Sequence, residues 1–131
     1  MIGKPNAAWN RGTNMNVLLL DNTDEKLLQM LNDHKDTRVI TGTIRRPRLY
    51  PLPDLIIVNF DDVFGSNKKE TVLMELSRKL HPQVMILAVS TKWDDGHKMF
   101  AKLFGVDECC NADDLNIIRT IIDIITSSNK I

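Results

Sequence analysis

Hydrophobic residues fall into five short apolar runs separated by stretches with helical spacing. VLLLDN (17–22) is a continuous apolar run stopped by polar residues, the signature of a strand buried on both faces. Thr23 or Asp24 then caps a helix in which Leu27, Leu28, Met30 and Leu31 form the apolar stripe. TRVITGTI (37–44) alternates and is β-branched, which predicts a second strand at an edge. RRPRLYPLP (45–53) carries three prolines and is expected to be a loop where a helix would otherwise stand. DLIIVNF (54–60) is strand three, and the helix after it, over about 68–80, presents Val72, Leu73, Leu76 and Leu80 on one side. QVMILAVS (83–90) gives strand four, 95–104 an amphipathic helix, VDECC (106–110) strand five and 113–126 the last helix.

Strands that alternate with helices pair in parallel, because crossover connections place helices on both faces of the sheet. The fold class is therefore α/β, a doubly wound five-stranded parallel sheet whose second helix is shortened or replaced by the proline-rich loop. A leader over 1–15, a domain over 16–126 and a tail over 127–131 are the expected boundaries. In such sheets the functional crevice lies at the carboxyl ends of the strands. The residues there are Asp21 and Asn22, Asn59, Ser90 and Thr91, and Asn111 with Ala112.

Composition narrows the function classes. The 131 residues are 43% hydrophobic and 26% charged, the balance of a globular domain. Lys+Arg and Asp+Glu both number 17, so no global charge draws the chain to nucleic acid or to an acidic membrane. No apolar run approaches the ~20 residues of a bilayer span and no secretion signal is visible, so the expected location is cytoplasmic. Cys109 and Cys110 are adjacent, badly placed to bond to each other, and read as small buried hydrophobes. No glycine-rich phosphate loop follows strand one, where NTDE stands, so no nucleotide or flavin cofactor is expected.

The strand-end residues resemble those of the receiver domains of bacterial response regulators, over about residues 16–126. VLLLDNTDE is similar to the strand-one motif, with Asp21 and Asn22 at the acidic pair. PDLIIVN matches strand three with Asn59 at the phospho-acceptor, and VMILAVST matches strand four with Ser90 at the hydroxyl position and Thr91 after it. GVDECCNAD resembles the segment that leads to the family's Lys-Pro, with Ala112 and Asp113 in their place. The resemblance implies a flavodoxin-like fold and, because of these departures, a degenerate pseudo-receiver. It also puts Cys109 at the aromatic switch position.

Phosphoryl transfer to a carboxylate needs an anionic nucleophile, a divalent cation and a cation for the product. Asn59 has no anionic oxygen, Asp21 alone is kept of the acidic pair, and with Ala112 no ammonium group is expected in the pocket. No catalytic residue and no metal site are assigned, with Asp21 and Asp61 the weak metal candidates. Asp61 and Asp62 read as loop acids, or Asp61 swings back beside Asp21. Arg45, Arg46 and Arg48, near Tyr50, form a basic patch that grips a phosphate backbone or an acidic partner, or holds the loop against local carboxylates. His34, His81 and His97 read as surface residues, and Trp93 as a cover for the crevice or a partner contact. The isoleucines of 117–125 exceed what one buried face needs. Phe100, Phe104, Ile118, Ile121, Ile122 and Ile125 are therefore the candidate interface.

The expected function is a non-enzymatic, phosphorylation-independent interaction or dimerisation module of a transcription regulator. Its partner would be a protein or a second copy, with DNA contacted only through an output domain elsewhere. The alternatives are a receiver that uses an unusual acid such as Asp61, and a flavodoxin-like domain whose crevice binds a small ligand through Asn59, Ser90 and Thr91.

Overall fold

The computed structural model describes residues 15–129 apart from 22, 23, 35, 48, 50, 51, 64 and 65, with the side chains of 62, 67, 128 and 129 also set aside. The leader over 1–14, Asn22, Thr23, Arg48, Tyr50, the Asp62 side chain and residues 130–131 thus lie outside the described residues.

The elements run β1 (Met15–Leu20), α1 (Glu25–Asp33), β2 (Thr37–Gly42), β3 (Leu55–Asn59), α2 (Phe60–Val63), α3 (Asn67–Leu80), β4 (Met85–Ser90), α4 (Asp95–Leu103), β5 (Glu108–Asn111) and α5 (Leu115–Asn129). All five strands are parallel and stand in the order β2-β1-β3-β4-β5, with β2 at an edge. Strand order reverses beside β1, which places the crevice over β1 and β3. Among the described residues of 43–54 there is no helix, only a bridge between Thr43 and Arg46. The prolines of that segment account for this, since they remove backbone donors and fix φ.

Side-chain alternation along the central strands divides the core into two layers. Leu18, Leu20, Ile56, Val58, Ile86 and Ala88 point to one face and meet Leu73, Leu76 and Leu80 of α3 and Ala101 of α4. Val17, Leu19, Leu55, Ile57, Leu87 and Val89 point to the other and meet Leu27, Met30 and Leu31 of α1 and Ile118 and Ile122 of α5. Each fully buried aliphatic side chain contributes about 1.5–3 kcal/mol, so the sheet interior holds the crevice on a stiff floor.

Several boundaries differ from those read off the pattern. β1 begins at Met15, and α5 runs on to Asn129 because Thr126 is buried with its hydroxyl 3.4 Å from the Met15 sulfur. Phe60 and Asp61, expected in the strand and in a loop, open the one-turn helix α2. Asp24 caps α1 through Lys26 N and Leu27 N, and Asp94 caps α4 through His97 N at 2.7 Å. Gly105 has φ of 94° and sits so close to α3 that a Cβ there would fall 2.0 Å from the Ser77 hydroxyl oxygen. Only glycine suits both the left-handed backbone and the close approach.

Candidate functional site

The crevice has two corners. At the β1 corner the chain turns sharply after Leu20, and Asp21 takes φ of 53°, a left-handed conformation that Asp tolerates better than most residues. Its backbone N–H donates to Gly42 O at 3.1 Å, and its Oδ2 accepts from Ile44 N at 3.4 Å. The same oxygen lies 3.5 Å from Lys69 Nζ, in a pair that is largely shielded from solvent. Contrary to the expectation drawn from Ala112, an ammonium group does reach the pocket, delivered by the first turn of α3 rather than by β5. A signal for this was present in the sequence. Lys68 and Lys69 stand near a helix N-terminus, where the dipole disfavours cations unless an acid faces them.

At the β4 corner, Asp61 on α2 turns toward the end of β4 and not toward Asp21. One carboxylate oxygen accepts a short hydrogen bond from Ser90 Oγ, and the other accepts from Thr91 Oγ1 at 2.9 Å and Thr91 N at 3.2 Å. Partial burial pushes this carboxyl up, but the donors from Ser90 and Thr91, with Lys92 nearby, more than reverse it, so its pKa lies below the ordinary Asp value. Ser90, which is buried, also accepts from Lys92 N at 3.0 Å. Asn59 Oδ1 accepts from Asp61 N at 3.1 Å and so braces the start of α2. The amide at the end of β3 is thus a structural acceptor. The reading of Asp61 beside Asp21 is corrected by these bonds, which direct it to the opposite wall.

The remaining candidates separate cleanly. Ala112 is half-buried against the α1–α5 layer, and its N–H donates to Ser90 O at 3.0 Å. Cys109 is half-buried against the other layer, and burial raises its thiol pKa. Burial, followed by the charges of Asp114, Cys109 and Glu108, pushes Cys110 up to about 11, and both thiols are free. Among the described residues no three His, Cys, Asp or Glu side chains form a metal-holding group. Arg45 and Arg46 are exposed, and neither pairs with a carboxylate among the described residues; Arg48 lies outside them.

Of the candidate interface, Ile118 and Ile122 are fully buried core and Ile121 and Ile125 are half-buried against it, so these four offer little surface. Phe104 is half-buried and meets Phe100 edge-to-face at 5.1 Å. Phe100, one of the candidates, is exposed, and on the same two helices so are Met99 (69%) and Leu103 (71%) of α4 and Ile117 and Ile124 of α5. A helix turn of 100° per residue separates them from the buried ones, which a count of isoleucines does not do. His34 bridges α1 and α5 through Asp123 at 2.9 Å. Trp93 stacks on Phe60 at 5.5 Å and donates its indole N–H to Cys110 O. The Trp93 ring, with His97, also lines a cavity beside Asp61, a role not expected of that histidine.

No protein-family model matches the chain, and no curated protein matches it. Solved structures do. A response regulator from Thermotoga maritima superposes with a TM-score of 0.65 at 15% identity, over 87% of this chain and 98% of that one. A CheY-like response regulator from Mesorhizobium loti gives 0.66 at 13%, over 86% and 98%. A putative pilus assembly protein from Burkholderia thailandensis gives 0.67 at 18%, over 86% and 98%. Topology, strand order and these superpositions agree that the chain has the flavodoxin-like fold of response-regulator receiver domains.

Proposed function

We propose that this receiver-fold domain is a non-enzymatic signalling module that works without phosphorylation, by binding a protein partner or a second copy of itself in the cytoplasm. The observation that carries the reading is Asp61. Its carboxylate already occupies the donors at the end of β4 that an incoming anionic group would need. Asn59 offers no nucleophile, and the ammonium of Lys69 is committed to Asp21. With no phosphoryl group to bias its states, the conformation of the domain is set by its own sequence. The output, DNA binding in a transcription regulator, would belong to another domain. That a putative pilus assembly protein and response regulators both match this fold fits a scaffold put to more than one use.

The surface for self-association in this reading is the face of α4 with Met99, Phe100 and Leu103. Exposed apolar residues grouped in this way favour closed twofold pairs. Incubation with Mg²⁺ and acetyl phosphate, followed by intact mass spectrometry, tests the first part. No phosphoryl adduct is expected, and a stable acyl phosphate on Asp61 or elsewhere overturns it. Sedimentation velocity at tens of micromolar tests the second, with a dimer expected and a clean monomer refuting self-association.

A further inference from the structure

Beside the β4 corner, Phe60, Asp61, Ser90, Lys92, Trp93 and His97 line a cavity of about 320 Å³. That is the lower end of the ~300–1,000 Å³ typical of small-molecule sites. One wall is the half-buried Trp93 ring, backed by the buried Phe60, which stacks on it with the planes 24° apart. The indole N–H is already used on Cys110 O, so this wall offers ring surface rather than polar atoms. The polar groups sort by charge. Asp61 has both oxygens occupied by Ser90 and Thr91 and faces the strand end. Lys92 is exposed and makes no ion pair among the described residues. His97 Nδ1 lies 2.9 Å from Lys92 O and 3.4 Å from Asp94 Oδ1, two acceptors, so this nitrogen carries the proton.

We propose that this cavity binds a small planar aromatic anion, a ring bearing a carboxylate or a phosphate, with the ring against Trp93 and the charge against Lys92. A ring gains area against the Trp93 face, and the exposed Lys92 ammonium, which shares the cavity with the hydrogen-bonded Asp61 carboxylate, is the group that selects an anion. A neutral hydrogen-bonding ligand held by Ser90 and Thr91 would instead have to displace Asp61. The proposal shares the β4 corner with the interaction-module reading but fails separately from it, since the titration reads the cavity while mass spectrometry and sedimentation read phosphorylation and self-association.

The test is an NMR titration of the ¹⁵N-labelled domain with benzoate, phenyl phosphate and neutral benzamide. Saturable shifts are expected at the Trp93 indole N–H and the amides of Asp61, Lys92 and His97 for both anions, with benzamide at least about fivefold weaker. Lys92→Gln, at an exposed position that leaves the core intact, should weaken both anions about fivefold or more and leave benzamide unchanged. Trp93→Leu should weaken all three. Tighter binding of phenyl phosphate assigns a phosphate ligand, and tighter benzoate a carboxylate. Equal binding of the three probes, anion affinity unchanged in Lys92→Gln, or no saturable shift up to about 10 mM overturns the proposal.

Discussion

At the β1 corner of the crevice, Asp21 faces a lysine ammonium across 3.5 Å, whereas at the β4 corner Asp61 is held by two hydroxyls and a backbone N–H. An ion pair at that separation tolerates movement of a long side chain and weakens with salt. Three converging hydrogen bonds fix direction as well as distance and depend little on ionic strength. The first corner is neutralised and the second is positioned. The end of β4 is therefore the more tightly tied part of the crevice, and the turn after β1, where α3 meets it, the less tied.

The largest perturbation of this contrast should come from outside the crevice. Lys69 reaches Asp21 only if α3 stands where it does, and the far half of α3 is set by Gly105 against Ser77, whose hydroxyl donates to Gly105 O at 3.3 Å. Gly105→Ala adds a Cβ 2.0 Å from that hydroxyl at φ of 94°. A loss of about 2–4 kcal/mol is expected from the combined overpacking and backbone strain. Urea unfolding measures the loss, and NMR should show shifts at Asp21 and Lys69 while Asp61 and Ser90 move little. Equal shifts at both corners would mean that they are not separable.

Asp61→Ala should come next. It leaves the buried Ser90 hydroxyl without its carboxylate, while water can replace the partner of the exposed Thr91, so about 1–2 kcal/mol is expected. Hydrogen exchange at Thr91 and Lys92 should accelerate. Asp61→Asn, which keeps an acceptor oxygen, should recover part of the loss. If the alanine variant is as stable as the wild type with unchanged exchange, the β4 corner is not positioned by Asp61.

These two sites also mark how far the sequence could be read. The parallel sheet was legible because strands buried on both faces leave long apolar runs, as in LLL at 18–20 and LIIV at 55–58. The residues at the strand ends were legible for the same reason. What each of those residues contacts was not, because side-chain direction at a strand-to-helix junction depends on one or two dihedral angles. Phe60 and Asp61 form a helical turn instead of a loop, and that choice aims the carboxylate at Ser90 rather than at Asp21. Lys69 lies 48 residues from Asp21 and on another element, so only its unfavourable place near a helix N-terminus hinted at a partner. Similarly, the isoleucines of α5 are apolar on both sides of the helix, and period alone does not say which of Ile117 and Ile118 is outside.

A smaller effect is expected at the β1 corner itself. Lys69→Met keeps the length of the side chain and removes the charge, which should cost about 1 kcal/mol for a partly shielded pair. The cost should shrink in about 1 M salt, and Asp61→Ala should show no such dependence. The ammonium also competes with any cation for Asp21. Millimolar Mg²⁺ should leave the wild-type spectrum unchanged, and Lys69→Met should show weak shifts confined to Asp21 and its neighbours. Strong Mg²⁺ shifts in the wild type would show that the pair opens readily and that the corner is a metal site.

The smallest expected effect is on pH dependence, and it separates the corners most directly. The hydrogen bonds from Ser90 and Thr91 hold the pKa of Asp61 below its ordinary value despite partial burial. For a group depressed in the folded state, the stabilisation is fully present above the unfolded value of about 3.9 and is lost as pH falls through the folded value. The β4 corner should therefore stay intact at neutral pH and through mild acid, and loosen only below about pH 4. Carboxyl ¹³C NMR should place the Asp61 midpoint below that of an unstructured Asp, with amide shifts of Ser90 and Thr91 titrating in step. In the Ser90→Ala variant, which removes one donor, the midpoint should rise. A midpoint at or above the unstructured value would show that burial outweighs the donors and that Asp61 does not position the end of β4.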